Sequence, residues 1–422
     1  MCATYICCGA ERHLGRESTG VLKLSALSAC REELLARFAG TVQTVYLDPP
    51  FNTGKRFDMK VRIGEKGYRT GTPTMSLPAY DDHWESREAY LDMMRETLTL
   101  ARELMKKEGT IFVHIDCRMH AHIRLMMDEI FGESNFLNEI IWSYQSGGRA
   151  RTYFPRKHDV ILFYAKSRSY YFSLKSVPVA RGEARSNHMK RSVDEDGRVY
   201  RSIMSGGKEY RYYDDEPAYP GDVWDDVSHL QQKDPQRTGY DTQKPVKLLE
   251  RIISCSTQEG DLVCDLFCGS GTTAVAAAKP GRRFLCVDQS PLAISVAGKR
   301  LSQAAGGKNA DVCYDVEATC GEDDCFVEAE VFPAITSYTV HLKSFDSVAA
   351  REAGLSGLDA VDQWSAGFVQ GDMYRSCVES VRTVGTPALQ QTMEMPVQAG
   401  EPCIMIVDIW GNRRFYLPKR RY

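Results

Sequence analysis

The stretch Leu262–Thr273 constrains the fold of this chain more than any other. An apolar run ends at Asp265, two glycines follow at Gly269 and Gly271, and an alanine-rich helical pattern opens at Thr272. Strand, glycine turn and helix in that order build the ligand end of an α/β unit. The glycines let backbone approach a ligand, and the helix start offers free N–H groups. The next apolar run, Arg283–Asp288, ends in an acid 19 residues after Gly269, where a carboxylate suits ribose hydroxyls. A dinucleotide fingerprint would carry a third glycine near Ala274, and this chain does not. The loop therefore favours a different adenosine-bearing ligand. Taken alone, it is also compatible with a plain strand–helix turn followed by a surface Asp.

The surrounding pattern repeats the theme. Val42–Leu47 reads as a buried strand stopped by Asp48-Pro49-Pro50. Glu88–Lys107 has a helical apolar stripe ended by Gly109, Thr110–Ile115 a strand, and Met119–Phe131 a helix ended by Gly132. Asp159–Lys166 is one clear strand, and Pro245 opens a helix carrying Leu248, Leu249, Ile252 and Ile253. Strands 262–267 and 283–288 alternate with helices 272–279 and 291–303, which predicts a parallel α/β sheet. Phe57–Asp81, rich in glycine, threonine and charge, predicts a loop. After Ala304, Glu330–Lys343 and Glu401–Leu417 predict strands of a small β-rich appendage, with a turn at Trp410-Gly411-Asn412. The expected division is 1–144 and 241–303 as two halves of one α/β domain, 145–240 as an insertion, and 304–422 as the appendage.

The net charge is only −3, but it is unevenly spread. Gln145–Tyr213 carries +9 with 11 aromatic residues, and Ser302–Tyr422 carries −7. A basic, aromatic middle segment suits a polyanionic partner. A solvated, loop-rich insertion would have the same composition. No run of about 18 apolar residues and no apolar signal core in Met1–Gly20 point to a cytoplasmic protein without a membrane partner. The 14 cysteines lack metal-ligand spacing: Cys320 and Cys325 are wrongly spaced, and His114, His120 and His122 lack further ligands, so no metal is expected.

Asp48-Pro49-Pro50-Phe51-Asn52 follows the first strand directly. The prolines stiffen the backbone and lack N–H groups, so the carbonyls and the Asp48 carboxylate are presented as acceptors. Phe51 adds an aromatic face. Acceptors beside a stacking ring are what a nucleobase amino group needs. On its own this is equally a strand-ending turn.

Together, the two loops resemble the β class of amino-group DNA methyltransferases, in which an Asp-Pro-Pro-aromatic loop precedes the cofactor loop. The likeness is greatest to the adenine-specific modification subunits of type III-like systems. It extends to Thr242-Gln243-Lys244-Pro245 and the helix after it, to Val287-Asp288, and to Lys157–Lys166. The C-terminal Asp408–Asn412 stretch resembles an appendage of some members. The resemblance implies a Rossmann-like methyltransferase sheet with an inserted target-recognition region. It implies S-adenosylmethionine as cofactor and double-stranded DNA as substrate, methylated at an exocyclic amino group of a flipped base. The head Asp48 inclines the reading to N6 of adenine. Catalysis then falls to Asp48, Pro49, Pro50 and Phe51. Cofactor binding falls to Thr242, Lys244, Asp265, Phe267, Gly269, Gly271 and Asp288. DNA contact falls to Arg149, Arg151, Arg156, Lys157 and His158. A homodimer and a restriction subunit stay open as partners. Two departures stand out: Leu266 replaces a usual Pro, and Leu22–Ala26 lacks the acid that many members carry near the cofactor adenine. N4-cytosine or RNA methylation on the same scaffold remain alternatives. An oxidoreductase would need the missing glycine and an acid/base pair, and a non-catalytic nucleic-acid module would not need the Asp48 loop.

Overall fold

The computed structural model describes residues 20–144, 150–179, 189–231, 234–240, 242–304, 313–315, 325–371 and 373–418. In chain order the first elements are β1 (Gly20–Leu24), α1 (Leu27–Phe38), β2 (Val42–Leu47), β3 (Lys55–Arg62), α2 (Gly64–Thr70), β4 (Thr74–Asp82), α3 (Arg87–Leu104), β5 (Met105–Ile115) and α4 (His120–Phe131). They continue with β6 (Phe136–Ser143), β7 (His158–Ala165), β8 (Lys190–Val193), β9 (Val199–Ser205), β10 (Lys208–Tyr213) and β11 (Val223–Trp224). Then come α5 (Val246–Ser256), β12 (Leu262–Asp265), α6 (Thr272–Ala278), β13 (Arg283–Asp288) and α7 (Pro291–Ala304).

Eight of these strands form one sheet in the order β1-β13-β12-β2-β5-β7-β6-β11. Its strands are mutually parallel except β7, which runs antiparallel to both β5 and β6. The purely parallel sheet expected from the alternation is thus corrected to a mixed one. The cause is local: β6 reaches β7 by a loop rather than a crossover helix, so the chain returns in the opposite sense.

The pleat explains why these strands are apolar throughout. Val45 and Leu47, Ile111 and Val113, Leu162 and Tyr164, Leu285 and Val287 enter one core with helices α1, α3 and α4. Tyr46, Phe112, Ile161, Phe163, Phe284 and Cys286 enter the other with α5, α6 and α7. Both faces are covered, so alternate residues fill opposite cores. Helix α3 starts where the Ser86 hydroxyl accepts the Ala89 amide at 3.1 Å and buries Tyr90, Met94, Leu98 and Ala101. It ends three residues earlier than its periodicity predicts, because Met105 turns extended and pairs with Val42 in the sheet.

A further expectation is corrected. Phe57–Asp81 is not a loop: β3 and β4 form an antiparallel hairpin with α2 at its tip. Phe57, Met59, Val61 and Ile63 alternate along its first strand, and Met59, Val61, Ile63, Leu77 and Ala79 pack against Leu292, Ala293 and Val296 of α7. The stretch 145–240 supplies β7 and β11 to the main sheet, and among its described residues β8–β10 form a small antiparallel meander apart from that sheet.

The C-terminal unit is built mainly of strands. It comprises β14 (Cys313–Asp315), β15 (Cys325–Pro333), β16 (Ser337–Ser347), α8 (Val348–Glu352), β17 (Val361–Gln370), β18 (Met373–Val381), β19 (Thr392–Pro396), β20 (Glu401–Asp408) and β21 (Arg413–Tyr416). A five-stranded and a three-stranded sheet share one core around Trp364, Phe345, Leu342 and Ile406. The unit is fastened to the rest. Tyr374, Met405 and Val407 join the core of the main sheet, and Ile409 and Trp410 join the hairpin cluster. Among the described residues, no helix is long and apolar enough to cross a membrane.

Candidate active site

Strands β2 and β12 are parallel neighbours, with Val45 opposite Cys264. From β2 the chain proceeds to β5 on one side, and from β12 to β13 on the other. The two loops at their carboxyl ends therefore part and leave a crevice, the usual ligand position in an open α/β sheet. Asp48–Phe51 and Asp265–Thr273 are these loops, and they line a cleft of about 410 Å³. The β3–β4 hairpin closes one side, where Phe57 stacks on Tyr80 at 4.9 Å and Tyr80 on Tyr240 at 6.1 Å between centroids.

The catalytic loop is anchored by a residue that no local motif announces. Asp82, at the end of β4 and 1% exposed, accepts the Asn52 amide at 2.8 Å, the Thr53 amide at 2.9 Å and the Thr53 hydroxyl at 2.6 Å. Asn52 is held at φ +55° there, a left-handed conformation that needs such support. Lys244 donates to Asp48 Oδ2 at 2.5 Å, and its ammonium lies 5.3 Å from the centre of the Phe51 ring. Both partners are largely buried, with side-chain exposures of 11% and 17%. The other oxygen, Asp48 Oδ1, is buried and has no hydrogen-bond partner among the described residues. Such an orphan acceptor costs free energy unless something fills it.

On the glycine loop, Asp265 accepts the Phe267 amide at 3.0 Å and the Thr273 hydroxyl at 2.5 Å. Burial pushes its carboxyl up to about 7, against those two hydrogen bonds. Asp288 accepts the Gly269 amide at 2.8 Å and the Ser290 amide at 2.8 Å, and burial raises its pKa too. Gly269 sits at φ +50°, with only the Tyr240 ring and its own loop near the place of a Cβ. Gly271 plays a different part. A Cβ there would lie 2.5 Å from that of Ala297, so it permits close approach of α7 and does not line the cleft. Behind the loop, Arg300 donates to the Ser270 carbonyl at 2.7 Å and the Thr272 hydroxyl at 3.0 Å. Burial lowers its pKa to about 10.

The structure thus brings Asp48, Pro49, Pro50, Phe51, Thr242, Lys244, Asp265, Phe267, Gly269 and Asp288 into one cleft. Ser25 and Ala26, from the stretch without the expected acid, also line it, and the Ser25 amide donates to the Asp288 carbonyl at 2.9 Å. Arg151, Arg156 and Lys157, between β6 and β7, and His158, the first residue of β7, lie outside the cleft at the same carboxyl edge of the sheet. Arg149 lies outside the described residues. Asp82 and Tyr240 in the cleft, and Arg300 behind the glycine loop, are the residues that motif reading missed. The period-two alternation of Phe57, Met59, Val61 and Ile63 is the signal that would have placed the hairpin, and with it Asp82.

The profile of the DNA methylase family, of the N6/N4 type, matches residues 42–299, well over half the chain. The chain belongs to this family. The match begins with β2 and ends in α7, so it contains both loops of the cleft. Among curated relatives, a type II methyltransferase, M.EcaI of Enterobacter cloacae, is 28% identical over 61% of this chain and 64% of its own. The DNA adenine methyltransferase YhdJ of Escherichia coli is 26% identical over 69% and 85%. The StyLTI Mod subunit, a type III restriction-modification component of Salmonella typhimurium, is 25% identical over 57% and 46%. The chain thus spans under two thirds of the first and third of these. Among solved structures, a cytosine-N4-specific PvuII DNA methyltransferase aligns at TM-score 0.44 and 14% identity, covering 67% of this chain and 86% of its own. An M1.HpyAVI–SAM complex aligns at 0.39 and 15%, covering 66% and 98%.

Proposed function

We propose that this DNA methylase transfers a methyl group from S-adenosylmethionine to N6 of an adenine flipped out of double-stranded DNA. The observation that carries the reading is the orphan Asp48 Oδ1, buried beside Phe51 in the cleft that the glycine loop shares. An exocyclic amino group fits it, because that group needs an acceptor and its ring needs a stacking face. Asp48 Oδ1 and the Pro49 carbonyl accept the two amino hydrogens, which draws the nitrogen lone pair out of conjugation with the ring. Lys244 fixes the other carboxylate oxygen, so Oδ1 is the one left to the base. Gly269, Asp288 and Thr242 hold the cofactor, with Asp265 shaping the loop from within. The cofactor supplies a sulfonium-activated methyl group, so positioning and electrostatics carry the rest. Adenine is favoured by the carboxylate heading the loop, and the relative YhdJ is named for adenine.

The loop 151–158 and the β8–β10 meander are the proposed target-recognition surface. The relatives named as Mod subunits support a restriction-modification setting in the cytoplasm, with a restriction subunit as partner. A homodimer belongs to the same reading and is checked by light scattering.

The test is methyl transfer from tritiated cofactor to DNA, followed by mass spectrometry of the nucleosides. N6-methyladenine is expected. N4-methylcytosine instead would move the substrate to cytosine, and label on RNA alone would remove the DNA reading. Asp48→Ala is expected to lower turnover by about 10²–10³-fold, the scale for one preorganised polar group at the reacting centre. Cofactor binding by calorimetry should persist. Wild-type turnover in that variant would sink the mechanism.

A further inference from the structure

A second polar group lies buried beneath the catalytic loop, and the mechanism above does not use it. His114, near the end of β5, is fully buried, yet both its ring nitrogens are engaged. Nδ1 is 2.9 Å from the Tyr46 hydroxyl on β2, and Nε2 is 3.2 Å from Asp159 Oδ2 on β7. The second Asp159 oxygen accepts the Tyr144 hydroxyl at 3.3 Å, just past the end of β6. One residue from each of three adjacent strands, with Tyr144 just past a fourth, thus forms a chain across a single face of the sheet, at its carboxyl edge. The pleat dictates this: Tyr46, Phe112, Ile161 and Phe163 share that face, and Trp142 stands opposite Asp159 in register. Burial alone would raise the Asp159 pKa, but His114, with Lys244 and Tyr144, holds it below the usual carboxylate value. Nε2 thus faces the Asp159 carboxylate and Nδ1 the Tyr46 hydroxyl, so both nitrogens of the ring are held.

Two hydrogen bonds in the ring plane remove the freedom of an imidazole to turn about its own axis. Trp142 meets the same ring edge-on at 5.4 Å, which also blocks tilting. Phe51 is stacked on this ring, with centroids 6.0 Å apart and planes 27° apart. We propose that His114 is a positioning residue for methyl transfer: fixed by Tyr46 and Asp159, it sets the plane of Phe51 and so the plane of the target base. The inference rests on the reading of Phe51 as the base-stacking ring. A base tilted or shifted by about 1 Å on a loose Phe51 would lose up to about 10²-fold in rate without losing its place in the cleft.

Tyr46→Phe is the mild variant, since it removes one hydroxyl and keeps the ring. It is expected to lower kcat about tenfold or more, with Kd for S-adenosylmethionine and for DNA unchanged. His114→Ala leaves a space of imidazole size beside Phe51. Added imidazole is expected to restore turnover there, and toluene, which fills the same space without ring nitrogens, is not. Wild-type kcat in Tyr46→Phe would overturn the proposal, as would equal rescue by the two compounds. If His114→Ala does not fold and neither compound acts, the Tyr46→Phe result decides alone. Wild-type protein is assayed alongside. If it transfers no methyl to DNA, the reading of Phe51 fails instead.

Discussion

Four of the carboxylates that line the cleft, Asp48, Asp82, Asp265 and Asp288, differ in what their oxygens already hold. Asp265 and Asp288 are committed to amides and hydroxyls near them in sequence, and Asp82 to the amides and hydroxyl of the catalytic loop, while Asp48 keeps a buried oxygen without a partner among the described residues. The burial of Asp265 has a consequence in pH. Folded, it holds its proton up to about 7, against an ordinary value of 3.8. Between those values folding takes up a proton, so the stability contributed by this group is full below about pH 4. It falls as pH rises towards 7 and is level above. Asp265→Asn should therefore flatten the fall in melting temperature between pH 5 and 7 relative to wild type. Parallel curves for the two proteins would mean that Asp265 titrates normally. Motif reading found the residues whose signal is local, such as the Asp48 loop and the glycine loop. It missed Asp82, Arg300 and the role of His114, because their partners lie 30, 28 and 45 residues away and only the fold joins them.

Among the elements, the β3–β4 hairpin carries the most that composition concealed. Glycines at 64, 67 and 71 and a proline at 73 resemble a loop, while the alternation beneath them marks strands. The hairpin is braced by α7 and by the C-terminal unit. Tyr68 donates to Asp362 at 2.6 Å, Lys299 pairs with the same carboxylate, and the Gly64 amide donates to the Asp359 carbonyl at 3.2 Å. Through Asp82 it holds the catalytic loop. Removing that carboxylate leaves the Asn52 and Thr53 amides without their acceptor and Asn52 at its unfavourable φ. Asp82→Ala is expected to destabilise by about 1–3 kcal/mol, the cost of unmade buried hydrogen bonds, and to lower kcat more than cofactor affinity. Thermal unfolding and calorimetry beside steady-state rates would check both. An unaltered kcat at full stability would free the catalytic loop from the hairpin. The mixed sheet escaped composition for a similar reason: the apolar run of β7 is the same whichever way the strand runs, and only the loop from β6 fixes its sense.

For the whole molecule, the question is where a nearly neutral chain meets a polyanion. The +9 of Gln145–Tyr213 overstates the case. Six acids and no base follow between 214 and 226, which reduces the stretch to +3. The structure pairs three of them with the meander, Arg198 with Asp215 at 2.8 Å and Glu216 at 3.3 Å and Arg201 with Asp214 at 3.2 Å, and Asp226 with Arg251 of α5. A pair already neutralised releases few counterions on binding. The β6–β7 loop differs. Arg151 and Arg156 are exposed there, with Tyr153 at 65% and Phe154 at 95% exposure, on the sheet edge that carries Asp48. If this loop lies on DNA, each arginine that meets a phosphate contributes about 0.9 to the fall of log affinity with log salt. Replacing Arg151 and Arg156 together by Gln should flatten that slope by up to about 2 units and leave cofactor binding intact. The same change at Arg198 and Arg201 should move it little. Binding isotherms at several salt concentrations measure both slopes. If the meander pair flattened the slope and the loop pair did not, the phosphate contacts would belong to β8–β10, and the ion pairs there would have to open when DNA binds.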